Sequence, residues 1–380
     1  MRTRTGTAQL PLHGGKAPAW LFTRMVKLSR EITTHVVSEF GSEEMLRRLS
    51  DPFWFQAFGC VLGFDWHSSG VTTTVTGALK EGIRGLESDL GLFAGGGKGA
   101  ASRNTPSEIT AACERLSLDP RPLVYASRMS AKVDSAAVQD GYQLYHHAFF
   151  FTPTGGWCVV QQGMNDDNGM ARRYHWLSTA VKSYVNEPHA AVCAETKVAT
   201  LNLVATESAP VRSASAELAR QQPSVVLSAL KGMPVLTMPR RHAVLRADVN
   251  PQYLQKILLK TYDRAPENFE TLLGMEGVGA STLRALALVS EIIYGTPAST
   301  RDPARFSFAH GGKDGFPYPV DTGNYDRTVE VLRNAVSRAG IDRSERVQAL
   351  KRLVRFGEER VRARIEATGG GPDDDPRADG

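Results

Sequence analysis

Phe269-Glu270-Thr271-Leu272-Leu273-Gly274-Met275-Glu276-Gly277-Val278-Gly279-Ala280-Ser281-Thr282-Leu283-Arg284-Ala285-Leu286 reads as two short helices joined by a tight turn. Apolar residues recur at helical spacing on both sides of Gly277-Val278-Gly279. Glycines there admit positive φ and the close approach of another backbone. The first amides of the second helix then point outward at the positive end of its dipole, a place that suits phosphate oxygens. Gly277, Gly279, Ser281 and Thr282 are accordingly the candidate DNA contacts, of a kind that holds a strand without reading its bases. The ordinary alternative is a corner between two packed helices.

Working outward, the pattern from about Val225 is almost wholly helical: Leu254 to Thr261, Pro266 to Leu273, Ala280 to Tyr294, Tyr325 to Ala339 and Ser344 to Ala367. Upstream, residues 1–205 mix helical periods (Trp20 to Phe40, Ser42 to Arg48, Thr72 to Gly85) with short strand-like runs. These runs are Leu123 to Ala126, Tyr145 to Thr152 and Gly156 to Gln162, with Pro153-Thr154-Gly155-Gly156 as a hairpin turn. The expected class is α+β: a mixed N-terminal domain over 1–205, a linker-like Ala/Ser/Gln/Pro stretch over 206–224, an all-helical domain carrying the hairpin over 225–367, and a disordered tail over 368–380.

A hydrophobic share of 42% and a charged share of 22% are those of a folded globular chain and exclude disorder for its bulk. The net charge of +5 tilts the choice of partner toward a polyanion. Cys60, Cys113, Cys158 and Cys193 are dispersed without Cys-x-x-Cys spacing and read as reduced core residues. No apolar run follows the basic start in the manner of a signal peptide or membrane span, so the expected location is the cytoplasm, with no membrane partner.

Polar and aromatic residues crowd four N-terminal segments: Lys132 to Ser135, Gln139 to His147, Trp157 to Asn165 and Ala171 to Trp176. Such groups are costly to bury unpaired, so they are expected to converge on a polar site or lie on the surface. Asp134 and Asp140 ahead of a strand bearing Gln161 and Gln162 raise a nuclease reading in which carboxylates hold Mg or Mn. Arg172, Arg173, Tyr174 and His175 combine cations with stackable rings, as contacts to a flipped or single-stranded nucleotide would. The alternative is an aromatic core edge with a basic rim. His146, His147, His175 and His189 are of a type that could bind a transition metal, but they lack the spacing of a structural zinc site, and the alternative is that each is a satisfied structural residue.

Downstream of the hairpin comes Phe316-Pro317-Tyr318-Pro319-Val320-Asp321-Thr322. Together, the glycine turn and this Val-Asp-Thr resemble the helix-hairpin-helix DNA glycosylase superfamily. The resemblance implies that Asp321 is the catalytic carboxylate, stabilising the sugar cation as the base leaves or assisting the nucleophile; the residue-level alternative is a helix cap. It also places Ser281 where bifunctional members carry a Schiff-base lysine, so no hairpin-lysine lyase chemistry is expected. Two features depart from that superfamily: Glu276 precedes Gly277 in place of proline, and the Gly279 to Asp321 spacing is widened by a segment from Gly295 to Phe316. Within that segment Gly311-Gly312-Lys313-Asp314-Gly315 would suit an anion, making Lys313 a further candidate DNA contact.

Arg4 to Lys16, Gln161-Gln162-Gly163-Met164, Ala171 to Trp176 and the run from Gly311 to Asp321 together are similar to domain-of-unknown-function family 763. That resemblance implies no mechanism. The function expected from the residues is a glycosylase-like DNA-repair enzyme needing no cofactor, with DNA and repair proteins as possible partners. The alternatives are a metal-dependent nuclease with an N-terminal site, or a non-catalytic DNA-binding accessory protein.

Overall fold

The computed structural model describes residues 18–63, 70–167, 169–194, 196–231, 251–306 and 322–368. Four helices come first: α1 (Ala19–Phe40), α2 (Ser42–Ser50), α3 (Pro52–Leu62) and α4 (Gly70–Ile83), then the single turn α5 (Glu87–Leu90). Strand β1 (Phe93–Lys98) leads into α6 (Ala100–Arg103), α7 (Thr105–Leu116) and α8 (Arg121–Lys132). The last turn of α8 widens into a π-turn, Val133–Ala137, which runs into β2 (Val138–Gln139). Strands β3 (Gln143–Phe151), β4 (Trp157–Asn165), β5 (Met170–Leu177), β6 (Ala191–Cys193) and β7 (Leu201–Asn202) follow. The remainder is helical: α9 (Ala209–Leu218), α10 (Pro223–Lys231), α11 (Pro251–Arg264), α12 (Phe269–Gly274), α13 (Ala280–Tyr294), α14 (Thr322–Arg338) and α15 (Arg343–Thr368).

The main sheet has the order β1-β3-β4-β5-β6, with every pairing antiparallel; β2 pairs β7 separately. The architecture is therefore α+β, a sheet held between two helical layers. Side chains alternate between the faces of a strand with a period of two. One face presents Ala148, Phe150, Cys158 and Val160 to the apolar residues of α1 to α4, α14 and α15. The other presents Phe149, Phe151, Val159, Tyr174 and Trp176 to α7, α8 and the helices from α9 to α13. Helix α3, Pro-Phe-Trp-Phe-Gln-Ala-Phe-Gly-Cys-Val-Leu, is buried on nearly every side because it is apolar on nearly every side.

Two readings are corrected here. Leu123 to Ala126 is not a strand but part of α8, where Leu123, Ala126 and Met129 form one buried helical stripe against the sheet. The 206–224 stretch is not a free linker: it contains α9, whose Val211 and Leu218 are fully buried in the same apolar cluster as α7, α8 and α13. That cluster runs without a break from the strands into the hairpin helices, and α14 and α15 complete the core on the other face. Tyr145 to Thr152 and Gly156 to Gln162 are strands joined by a turn, as their pattern predicts, and α1, α2, α4, α13, α14 and α15 fall within a few residues of their expected bounds. The tail from 369 onward lies outside the described residues.

Candidate nucleic-acid interface

The hairpin is built from α12, a five-residue turn and α13. Asn268 caps α12 by accepting from the Thr271 amide at 2.9 Å. Leu272, Leu273, Met275 and Val278 turn inward. Gly277 takes φ +87°, which only glycine adopts without strain, whereas Gly279 is extended at φ −134° and needs no glycine for its conformation. What Gly279 supplies is room: a Cβ built on it meets nothing within 4 Å. It is the N-cap of α13 and, being glycine, has no side chain with which to cap the first amides of that helix. Ser281 stands at the surface, but Thr282 is 2% exposed and points into the core, so of the two polar residues at the helix start only Ser281 faces outward.

The hairpin is clamped from beneath by residues 132–139. Lys132 Nζ donates to the Met275 carbonyl at 3.1 Å and to the Val278 carbonyl. Gln139 Nε2 donates to the Ala280 carbonyl at 2.9 Å, and Arg284 Nε donates to Gln139 Oε1 at 2.8 Å. Lys132 thus holds two of the turn's carbonyls from this side, while Ser281 in the first turn of α13 is exposed. Burial lowers the Lys132 pKa.

Asp134, two residues after Lys132, projects to the sheet side of the π-turn. Its carboxylate accepts from His189 Nε2, Gln161 Nε2 and Trp176 Nε1, the last at 2.9 Å. Gln161 spends its amide on Asp134 and the Ser130 carbonyl, so its oxygen accepts from His147 Nδ1 at 2.7 Å. Burial lowers the His147 pKa and keeps the ring neutral, so Nε2 accepts from Ser127 Oγ at 3.0 Å. His189 lines a cleft of about 180 Å³ together with Lys197, Arg301 and Arg305. Glu187 pairs with both of those arginines at 2.7 Å.

Asp140 belongs to a second network. It accepts from Arg172 at 2.9 Å, the Tyr174 hydroxyl at 2.7 Å and the Tyr142 amide at 3.0 Å. Arg172 also donates to Asp302 at 2.6 Å, which in turn accepts from the Val198 and Ala304 amides. The beginning of the Gly295 to Phe316 segment is thus fastened to the sheet. Burial raises the Asp140 pKa, against the downward pull of Arg172 and Tyr174. On the opposite face Arg173 Nε donates to His175 Nε2 at 2.8 Å, and His175 Nδ1 donates to the Leu49 carbonyl at 3.0 Å.

Arg172, Arg173, Tyr174 and His175 are all at most 1% exposed. They therefore tie the sheet to its two layers and offer no surface to a nucleotide, which corrects the expectation that they contact DNA. Asp134 and Asp140 do not share a ligand set, since each is surrounded by its own N–H and O–H donors. The four histidines are likewise split between the two faces, His146 and His175 on one, His147 and His189 on the other. Among the described residues no group of three or more His, Cys, Asp and Glu is placed to hold a metal ion. Asp321 and Lys313 lie outside the described residues.

A family described as "Protein of unknown function (DUF763)" matches residues 6–320. The chain belongs to the DUF763 family. No curated protein and no solved structure matches it. In this DUF763 chain the matched region takes in the whole sheet, both polar networks and the hairpin, and stops just short of α14. Among the described residues no helix is long and apolar enough to cross a membrane. The Asp134 to His189 contact joins residues 55 positions apart, and no local spacing signals it. The pairing of Lys132 and Gln139 with the hairpin is similarly hidden, because it links segments more than 140 residues apart.

Proposed function

We propose that this protein is a DNA-repair enzyme of the base-excision type that grips the DNA backbone through the α12–α13 hairpin. The observation that supports this most is the turn itself: Gly277 in the left-handed region, open space at Gly279, an α13 N-cap without a side chain and two turn carbonyls held by Lys132. A phosphate oxygen arriving at Gly279 meets donors and the positive end of a 15-residue helix. The excision chemistry rests on the sequence resemblance, with Asp321 as the carboxylate that stabilises the sugar cation of a flipped nucleotide. The nuclease alternative draws less support, because Asp134 and Asp140 are each engaged by separate donors.

Gly279→Asp tests the grip. Its extended φ and empty surroundings predict an intact fold, while the new carboxylate sits where the phosphate would. Duplex affinity, followed by fluorescence anisotropy, should fall about tenfold or more, and the slope of log affinity against log salt should shrink by about 0.9 per lost phosphate contact. Unchanged affinity would remove the hairpin from the interface. The chemistry is tested with end-labelled oligonucleotides carrying damaged bases: breaks that appear only after alkali, persist in EDTA and vanish in Asp321→Asn are expected. Metal-dependent breaks without alkali would replace excision by nuclease action, and binding without breaks would leave an accessory protein.

A further inference from the structure

The cleft beside β6 is a candidate site of its own. Residues 189–192 and 301–305 line it, together with Glu187, Lys197 and Asn202. Its 301–305 side is fastened to both neighbouring strands. The Arg305 and Phe306 amides donate to the Val192 carbonyl at 3.0 and 3.2 Å, and Asn202 Nδ2 donates to the Arg301 carbonyl at 3.0 Å. Arg301 and Arg305 thus stand on fixed backbone, while their side chains are 59% and 66% exposed. Glu187 meets them with φ +42°, a left-handed conformation that is costly for a residue with a side chain. Its carboxylate accepts from Arg301 on Oε1 and from Arg305 on Oε2. Each arginine spends only Nη2 on carboxylates, which leaves Nε and Nη1 of both without a partner among the described residues.

His189 is the third member. Its Nε2 donates to Asp134, so in the neutral ring Nδ1 carries the lone pair. Nδ1 makes no hydrogen bond with a described residue, yet it is not one of the enclosed unpaired atoms. The 6% of the side chain that stays open therefore includes it. The ring is held in place from behind: Asp134 is wholly buried and also accepts from Gln161 and Trp176, and the Trp176 ring packs edge-on against His189 with centroids 4.6 Å apart. A histidine fixed by a buried carboxylate through one nitrogen presents the other to a ligand in a set direction. Of the two carboxylates that line the cleft, Glu187 lies between the arginines, and Asp302 is spent on Arg172 and on the Val198 and Ala304 amides. The cations Lys197, Arg301 and Arg305 outnumber them.

We propose that Arg301, Arg305 and His189 form a binding site for a phosphate monoester. Guanidinium forks match the geometry of phosphate oxygens, and the nitrogens left free on two such forks are more than one carboxylate ligand would use. A monoester offers three terminal oxygens to these donors, whereas a diester offers two. In its monoanionic form it also has a P–O–H to donate to His189 Nδ1. At about 180 Å³ the cleft is smaller than the roughly 300 Å³ from which pockets enclose a drug-sized molecule, so it takes the phosphate and leaves the bulk of the ester outside. A mononucleotide and the phosphorylated end of a strand share that chemistry. The π-turn between α8 and β2 serves both this site and the hairpin: Lys132 just before it holds the turn, and Asp134 within it holds His189. The proposal does not rest on the DNA-binding reading.

The test is calorimetry on the full chain with inorganic phosphate, thymidine monophosphate and thymidine. The two phosphate compounds should bind and thymidine should not. Arg301→Ala and Arg305→Ala should each weaken monophosphate binding about tenfold, as the loss of one charge-assisted hydrogen bond would. Both side chains are exposed, so both variants should fold, which an unchanged near-UV circular dichroism spectrum checks. In nitrogen NMR spectra the His189 Nδ1 signal, assigned by its absence in His189→Gln, should move when the monophosphate is added and stay when thymidine is. Arginines that served only to pair with Glu187 would leave the affinity as it is. No binding of either phosphate compound, an affinity that survives both alanine variants, or a His189 signal that stays put under saturating monophosphate would each overturn the proposal. An oligonucleotide with a 5′-phosphate separates the two sources. If it outbinds its hydroxyl-ended counterpart and loses that advantage in Arg305→Ala, the site takes strand ends; if only the monophosphate binds, it takes a free nucleotide, and either result sustains the site. A hairpin that fails to bind duplex leaves all of these outcomes unchanged, so the two readings fall separately.

Discussion

Replacing Arg172 with leucine should destabilise the protein by about 3–5 kcal/mol, the range for removing one partner of a buried ion pair. Arg172 and Asp140 are both fully buried, and Asp302 is nearly so. Burial works against the Arg172 charge, but the two carboxylates more than offset it and raise the Arg172 pKa above its ordinary value. Without the guanidinium, Asp140 and Asp302 would face one another in the interior with no cation between them. The segment around Asp302 would also lose its tie to β5. A loss of that size is a large part of the total stability of a domain, so the urea midpoint should fall steeply. Arg172→Lys keeps a charge but cannot reach both carboxylates with a planar fork, and should lie between leucine and wild type. A leucine variant as stable as wild type would mean that the network contributes specificity and not stability.

Gly96→Ala should cost at least about 3 kcal/mol, because strain in the backbone and overpacking add. Gly96 has φ +87°, and an added Cβ would lie 2.1 Å from the His147 carbonyl oxygen and 2.7 Å from Thr105 Oγ1. The backbone here cannot retreat easily: the Gly96 amide donates to Glu108, and its carbonyl accepts from Lys80 Nζ at 2.9 Å. Gly85→Ala isolates the conformational part, since Gly85 has φ +80° but nothing within 4 Å of the added carbon. That variant should lose only about 1–2 kcal/mol. Equal urea midpoints for the two alanine variants would show that the crowding at Gly96 is relieved by movement of β1.

The hairpin and the long helices were legible because apolar residues at helical spacing leave a mark that survives any tertiary context. Strand β1 was not, since Phe93-Ala94-Gly95-Gly96-Gly97-Lys98 has no alternation and its glycines argue against a strand. Leu123 to Ala126 misled because a short apolar run has no period of its own; the stripe shows only when Met129 is counted with it. The crowding of polar residues between Lys132 and Trp176 suggested one polar site or a surface, whereas these groups are buried in separate hydrogen-bonded networks on the two faces of the sheet. A strand such as β5, buried on both faces, carries Arg172 and Tyr174 to one layer and Arg173 and His175 to the other. In sequence that arrangement is indistinguishable from a basic, aromatic surface. The partners that decide the matter, Asp140, Asp302 and Leu49, come from three distant segments.

Helices α14 and α15 supply Val331, Leu332, Ala335, Val336, Leu353 and Phe356 to the apolar cluster begun by α1 to α4. During synthesis, therefore, α1 to α4 leave the ribosome with an unfinished apolar face, and the residues that cover it are made only after the sheet and the hairpin. That layer must wait, partly exposed, until the sheet and the hairpin helices have been made, a delay that invites chaperone binding. A chain cut after residue 320 would keep the region that defines the family and the whole hairpin, yet remain in that waiting state.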